Sequence, residues 1–78
     1  MPLVVEFTVE PFVEGSPGPH VRAAVDAAEA SGLRVELGPF GTSVSGDDDA
    51  EVLATVDRVV RAAVGAGATR VLVQVERP

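Results

Sequence analysis

The amino-acid sequence predicts an α+β fold: a ferredoxin-like β-α-β-β-α-β sandwich whose four-stranded antiparallel sheet carries two helices on one face. Three observations lead there. Apolar and polar residues alternate with a period of two over three stretches, 3–10, 33–38 and 69–76. Two intervening stretches space their apolar residues as a helix does. The 78 residues have room for one such unit and no second, so residues 1–78 are expected to form a single domain.

Along 3–10, LVVEFTVE, one face takes Leu3, Val5, Phe7 and Val9, and the other takes Val4, Glu6, Thr8 and Glu10. That is a strand with one buried side. The run 11–19, rich in proline and glycine, is a turn-forming connection. From about 18 to 31, Val21, Ala24, Val25 and Ala28 make an apolar stripe. Ser16 or Gly18, each followed by proline, is the expected cap, and Gly32 the expected stop. The next strand, 33–38, turns Leu33, Val35 and Leu37 inward. After Gly38 and Pro39, FGTSVSG (40–46) returns as a short strand of weaker alternation. Asp48 and Glu51 then have capping-box spacing, and Val52, Val56, Val59 and Ala63 form the second helical stripe. GAGA (65–68) ends that helix, and 69–76 is the last strand, with Val71, Val73 and Val75 inward. Helices on one side leave a bare side that carries Val4, Glu6, Thr8, Arg34, Glu36, Leu72 and Gln74. It can be solvated, meet another subunit or line a ligand cleft.

A domain this small buries a marginal core. With no Cys it has neither disulfides nor thiolate metal sites to reinforce it, so self-association is the expected support. Twelve acidic residues against six basic ones, all Arg, give a net charge of -6. That balance argues against nucleic acid and against anionic membrane surfaces, because both partners demand clustered cations. The opening MPLVVEFTVE has neither a basic leader nor a long apolar run. Neither a signal peptide nor a membrane span is expected there, and the expected location is cytoplasmic.

Residues 38–52, GPFGTSVSGDDDAEV, are the most unusual stretch. As a phosphate loop it fails, because it has no Lys and three aspartates would repel phosphate at the helix start. As a calcium loop it lacks the alternating ligands and the glycine of an EF-hand. A turn followed by a helix cap accounts for the aspartates. His20 is the single histidine, and with no Cys beside it no metal site is expected. It either packs at the start of the first helix or serves there as a general base or ligand contact. Glu6, Glu10 and Glu36 are solvated strand residues unless a ligand brings positive charge. Ser16, Ser31, Ser43 and Ser45 lack a nucleophile elbow. Among the three phenylalanines, Phe7 belongs to the core, while Phe12 and Phe40 stand at strand ends where they can wall a pocket. The paired aromatics of an RNA-binding sheet are missing.

Three segments together carry a resemblance: VEFTVEPFVEGSPGPHV (5–21), SGLRVELGPFGTSVSGD (31–47) and AGATRVLVQVE (66–76). They resemble the small thiamine-binding protein family in the order and spacing of Glu6, Pro11, Gly15, Ser16, Pro19, His20, Ser31, Gly32, Leu33, Gly41, Thr42, Asp47, Gly67, Arg70 and Val71. The chain departs from that pattern at Ser45, where members commonly carry an acid before the glycine. The resemblance implies a ferredoxin-like domain assembled as a dimer or tetramer. It implies non-enzymatic binding of thiamine (vitamin B1) or a hydroxymethylpyrimidine-like molecule, as carrier, buffer or sensor, without a cofactor. The implied ligand contacts are Glu6, Thr8, Phe12, Ser16, His20, Thr42, Ser43 and Ser45. Carboxylates suit the thiazolium cation, hydroxyls suit the pyrimidine edge, and Phe12 or Phe40 offers a ring to stack on. Two alternatives stay open: a self-assembling module without a small ligand, and an enzyme using His20 or a glutamate on a cationic substrate.

Overall fold

The computed structural model describes residues 1–11, 18–39 and 41–78. Along the chain come β1 (Leu3–Glu10), α1 (Pro19–Ala30), β2 (Arg34–Leu37), β3 (Thr42–Gly46), α2 (Asp49–Gly65) and β4 (Arg70–Glu76). The strands form one sheet in the order β2-β3-β1-β4, with every neighbouring pair antiparallel. This is the predicted ferredoxin-like arrangement.

The period of two in β1 does what the sequence asks of it. Leu3, Val5, Phe7 and Val9 are buried, and the residues between them are not. In α1, Gly18 stands at the N-cap and Pro19 follows, at a position where an N–H would have no helical partner anyway. Gly32, at φ 77, turns the chain out of α1 through the left-handed region that only glycine enters without strain. In α2, the Asp48 carboxylate accepts from the backbone N–H groups of Ala50 (3.0 Å) and Glu51 (3.4 Å), and Asp49 and Glu51 sit in the first turn.

Phe7, Val9 and Val44 of the sheet pack with Ala24 and Ala28 of α1 and Val59 and Ala63 of α2. A second cluster joins Leu3, Val5 and Val52. Three of the helix residues here are alanines with no exposed surface, so the helices lie close to the central strands. Thr55 is a polar member of this layer. Its hydroxyl donates to the carbonyl of Glu51 at 2.8 Å, one turn back, which is why burial is tolerated.

The helix layer stops short of the sheet edges. Register places Leu37 opposite Thr42, Val73 opposite Phe7 and Val75 opposite Val5, all on the helix side. Yet they are 66%, 38% and 48% exposed. Two helices cover the two central strands and leave the outer ones half bare. Among the described residues no helix is long and apolar enough to cross a membrane.

Candidate functional site

The main cleft forms where β1 outruns β3. Pairing between them ends at Phe7 and Thr42, while β1 stays paired with β4 as far as Glu10 and Arg70. Past that point the flank of β1 faces the turn between β2 and β3, which is closed by Gly38 N–H donating to the Gly41 carbonyl at 2.8 Å. Gly41 must be glycine for the turn to lie so near. A Cβ there would stand 3.0 Å from the Phe7 carbonyl oxygen and 3.2 Å from the Thr8 methyl.

The resulting cavity measures about 710 Å³. Phe7, Thr8, Val9, Glu10 and Pro11 form one wall, and Gly38, Pro39, Gly41 and Thr42 the opposite one. Val21 and Val25 of α1 and Leu72 of β4 complete it. Phe7 and Thr42 face the helices, whereas Thr8 and its partner Leu72 face the other way. The cleft therefore cuts across the sheet at the end of β3.

Its polar groups are few. The Thr8 hydroxyl is buried and has no hydrogen-bond partner among the described residues. Buried hydroxyls are normally paired, so an orphan in a cleft wall is a natural point for a ligand to bond. Thr42, 9% exposed, supplies a second hydroxyl. Among the described residues Glu10 supplies the one carboxylate in the lining, and its backbone carbonyl accepts from the Thr69 N–H at 2.9 Å and the Thr69 hydroxyl at 3.3 Å, which fixes the end of β1.

The expected contact residues fall into separate groups. Thr8 and Thr42 line the cleft. Glu6, Ser43 and Ser45 lie on the bare face outside it, with Glu6 opposite both Ser43 and Gln74. Arg34 and Glu36 share that face and pair with each other at 2.8 Å. The side chains of Arg34 and Glu36 are exposed, so the pair contributes little, at most about 1 kcal/mol. Phe12, Phe40 and Ser16 lie outside the described residues. His20 stands beside the cleft, where its Nε2 bonds to the Pro11 carbonyl at 2.5 Å. A carbonyl only accepts, so Nε2 carries the proton and the ring ties the start of α1 to the end of β1. An acid–base enzyme would need His20 held by a carboxylate inside the cleft, and among the described residues its recorded partner is this carbonyl. No three of His, Asp and Glu converge to hold a metal ion among the described residues.

Of the lining residues among those described, the sequence marks Thr8 and Thr42 as contacts. The sequence marks Glu10 only as an acid, and Val21, Val25, Pro39 and Leu72 carry no chemistry that singles them out. The one available signal was the Gly41–Thr42 pair. A glycine required for close approach would have placed the β2–β3 turn against Thr8.

A sequence profile described as thiamine-binding protein matches residues 5–76. Among solved structures, a domain of unknown function from Bacillus cereus is similar at 27% identity and a TM-score of 0.72, over 97% of this chain and 73% of that one. A Thermotoga maritima protein, for which a thiamine biosynthesis or salvage role has been put forward, matches at 25% identity and a TM-score of 0.58, over 97% and 81%. A hypothetical protein from Methanocaldococcus jannascii shares the fold at 23% identity and a TM-score of 0.71, over 99% and 81%. No functionally curated protein is detectably similar.

Proposed function

The chain belongs to the thiamine-binding protein family, and from that premise we propose that it binds thiamine, or its hydroxymethylpyrimidine part, in the cleft between β1, α1 and the β2–β3 turn. The observation that carries this reading is the cleft itself. Its volume of about 710 Å³ suits a small organic ligand, and among the described residues its apolar walls are interrupted by two hydroxyls and one carboxylate. Small-molecule sites are commonly built this way, with mostly apolar walls and a few polar groups that fix orientation. The aminopyrimidine edge takes the Thr8 and Thr42 hydroxyls. The thiazolium turns towards Glu10. The protein is a cytoplasmic carrier, buffer or sensor of the vitamin rather than an enzyme.

It does so as a dimer or tetramer. What supports assembly is β4, an edge strand with apolar side chains half exposed on both faces, Leu72 on one and Val73 and Val75 on the other. A second copy of this chain would cover them. The same strand also favours the reading of a self-assembling module without a ligand, and one titration separates the two. Isothermal titration with thiamine and with hydroxymethylpyrimidine is expected to show saturable binding that Thr42→Ala weakens. If the assembled protein gives neither heat nor a thermal shift with either compound, the binding reading is overturned and the module remains.

A further inference from the structure

We propose that the cleft accepts its ligand only in the unphosphorylated form, with Glu10 as the group that rejects phosphate esters; this rests on the binding reading above. Among the described residues, Glu10 is the only ionisable side chain in the lining. No Lys or Arg lines the cleft among the described residues. In the sequence, residues 12–17 include Glu14 and no basic residue. The chain as a whole carries a net charge of -6.

An anion at this place would need the helix start as its remaining donor, and α1 is poorly equipped. Its first residue, Pro19, has no N–H. The N–H groups of Val21 and Arg22 already donate to the Gly18 carbonyl, at 3.1 and 3.2 Å. Of the first helical residues, only the His20 N–H is left. Arg70 stands opposite Glu10 in the β1–β4 ladder, but it is exposed and outside the lining.

A phosphomonoester carries about −1.5 to −2 charges at neutral pH, and with no cation among the described lining residues its approach to Glu10 is repulsive. The thiazolium of the free vitamin is attracted by the same carboxylate. The esters keep the thiazolium, but their phosphate reverses the sign of the net charge, so the carboxylate that attracts the free vitamin opposes them. The protein would then hold the free primary alcohol, the substrate of a phosphotransfer reaction, rather than the product of one.

The test is a titration of the wild-type protein and Glu10→Gln with thiamine, thiamine monophosphate and thiamine diphosphate at neutral pH. In the wild type, both esters are expected to bind at least about tenfold more weakly than thiamine, a preference that higher ionic strength reduces. Glu10→Gln, nearly the same shape, is expected to weaken thiamine and narrow the preference several-fold. Esters that bind the wild type as well as thiamine does would overturn the proposal and leave the binding reading standing. A preference unchanged by Glu10→Gln would also overturn it. Failure of all three compounds to bind would remove the binding reading and this inference together.

Discussion

Thr8 keeps a hydroxyl away from water without a partner among the described residues, and that has a measurable signature. An unmet buried hydrogen-bonding group costs roughly 1–3 kcal/mol. Thr8→Val keeps the shape and removes the group. We expect the variant, without ligand, to resist urea better by about 1 kcal/mol while binding thiamine about tenfold more weakly. A valine that leaves affinity untouched would mean that the hydroxyl meets no ligand. Gly41 makes the opposite demand, for absence of a side chain. Gly41→Ala brings a methyl against the Phe7 carbonyl, backbone that cannot step aside. It is expected to lower stability by about 1–3 kcal/mol, read from the urea midpoint. These two positions also show what could be seen in advance. The alternation of β1 put Thr8 on the bare face correctly, but Thr42 and Ser43 are neighbours in a strand and cannot share a side. Only the pairing of Thr42 with Phe7 reveals which of them enters the cleft. Register is a property of two strands, and neither one spells it alone.

The helices were the most legible elements, because their boundaries are local chemistry. Asp48 caps α2 through its own carboxylate, and Gly32 leaves α1 by its own backbone freedom. Asp48→Ala is expected to lower the stability by about 1 kcal/mol, and Asp48→Asn to keep most of it, since the amide oxygen still accepts. Equal losses in both variants, by chemical denaturation, would point to charge at the helix end rather than the hydrogen bonds. The strands were legible in their faces but not in their depth. Val73 and Val75 alternate as inward residues should, and they do face the helices. How far a helix reaches over an edge strand depends on packing that no single stretch records. The close fit of Ala24, Ala28 and Ala63 sets both helices over the centre of the sheet, and Val73 and Val75 on β4 stay partly exposed.

For the molecule as a whole, the uncovered edge decides its company. A long edge strand with apolar side chains on both faces is a template for another strand, and most proteins blunt such edges with charge. β4 carries Arg70 and Glu76 at its ends and little charge between them. Val73→Arg places a charge in the middle of that edge. We expect it to convert the proposed dimer or tetramer to monomer, seen by light scattering, while the circular dichroism stays that of a folded chain. A wild-type protein that is monomeric at high concentration would refute the assembly. The ladder between β1 and β4 has one more effect, in the time before any partner arrives. It sets Val4 against Glu76 and Glu10 against Arg70, so it joins the first strand to one synthesised after every other element. Contacts so distant along a chain are slow to form. Until β4 has joined the sheet, the first strand is therefore bare along one flank. In that interval the polypeptide is most open to a wrong neighbour, and quick delivery of the final strand is what ends the exposure.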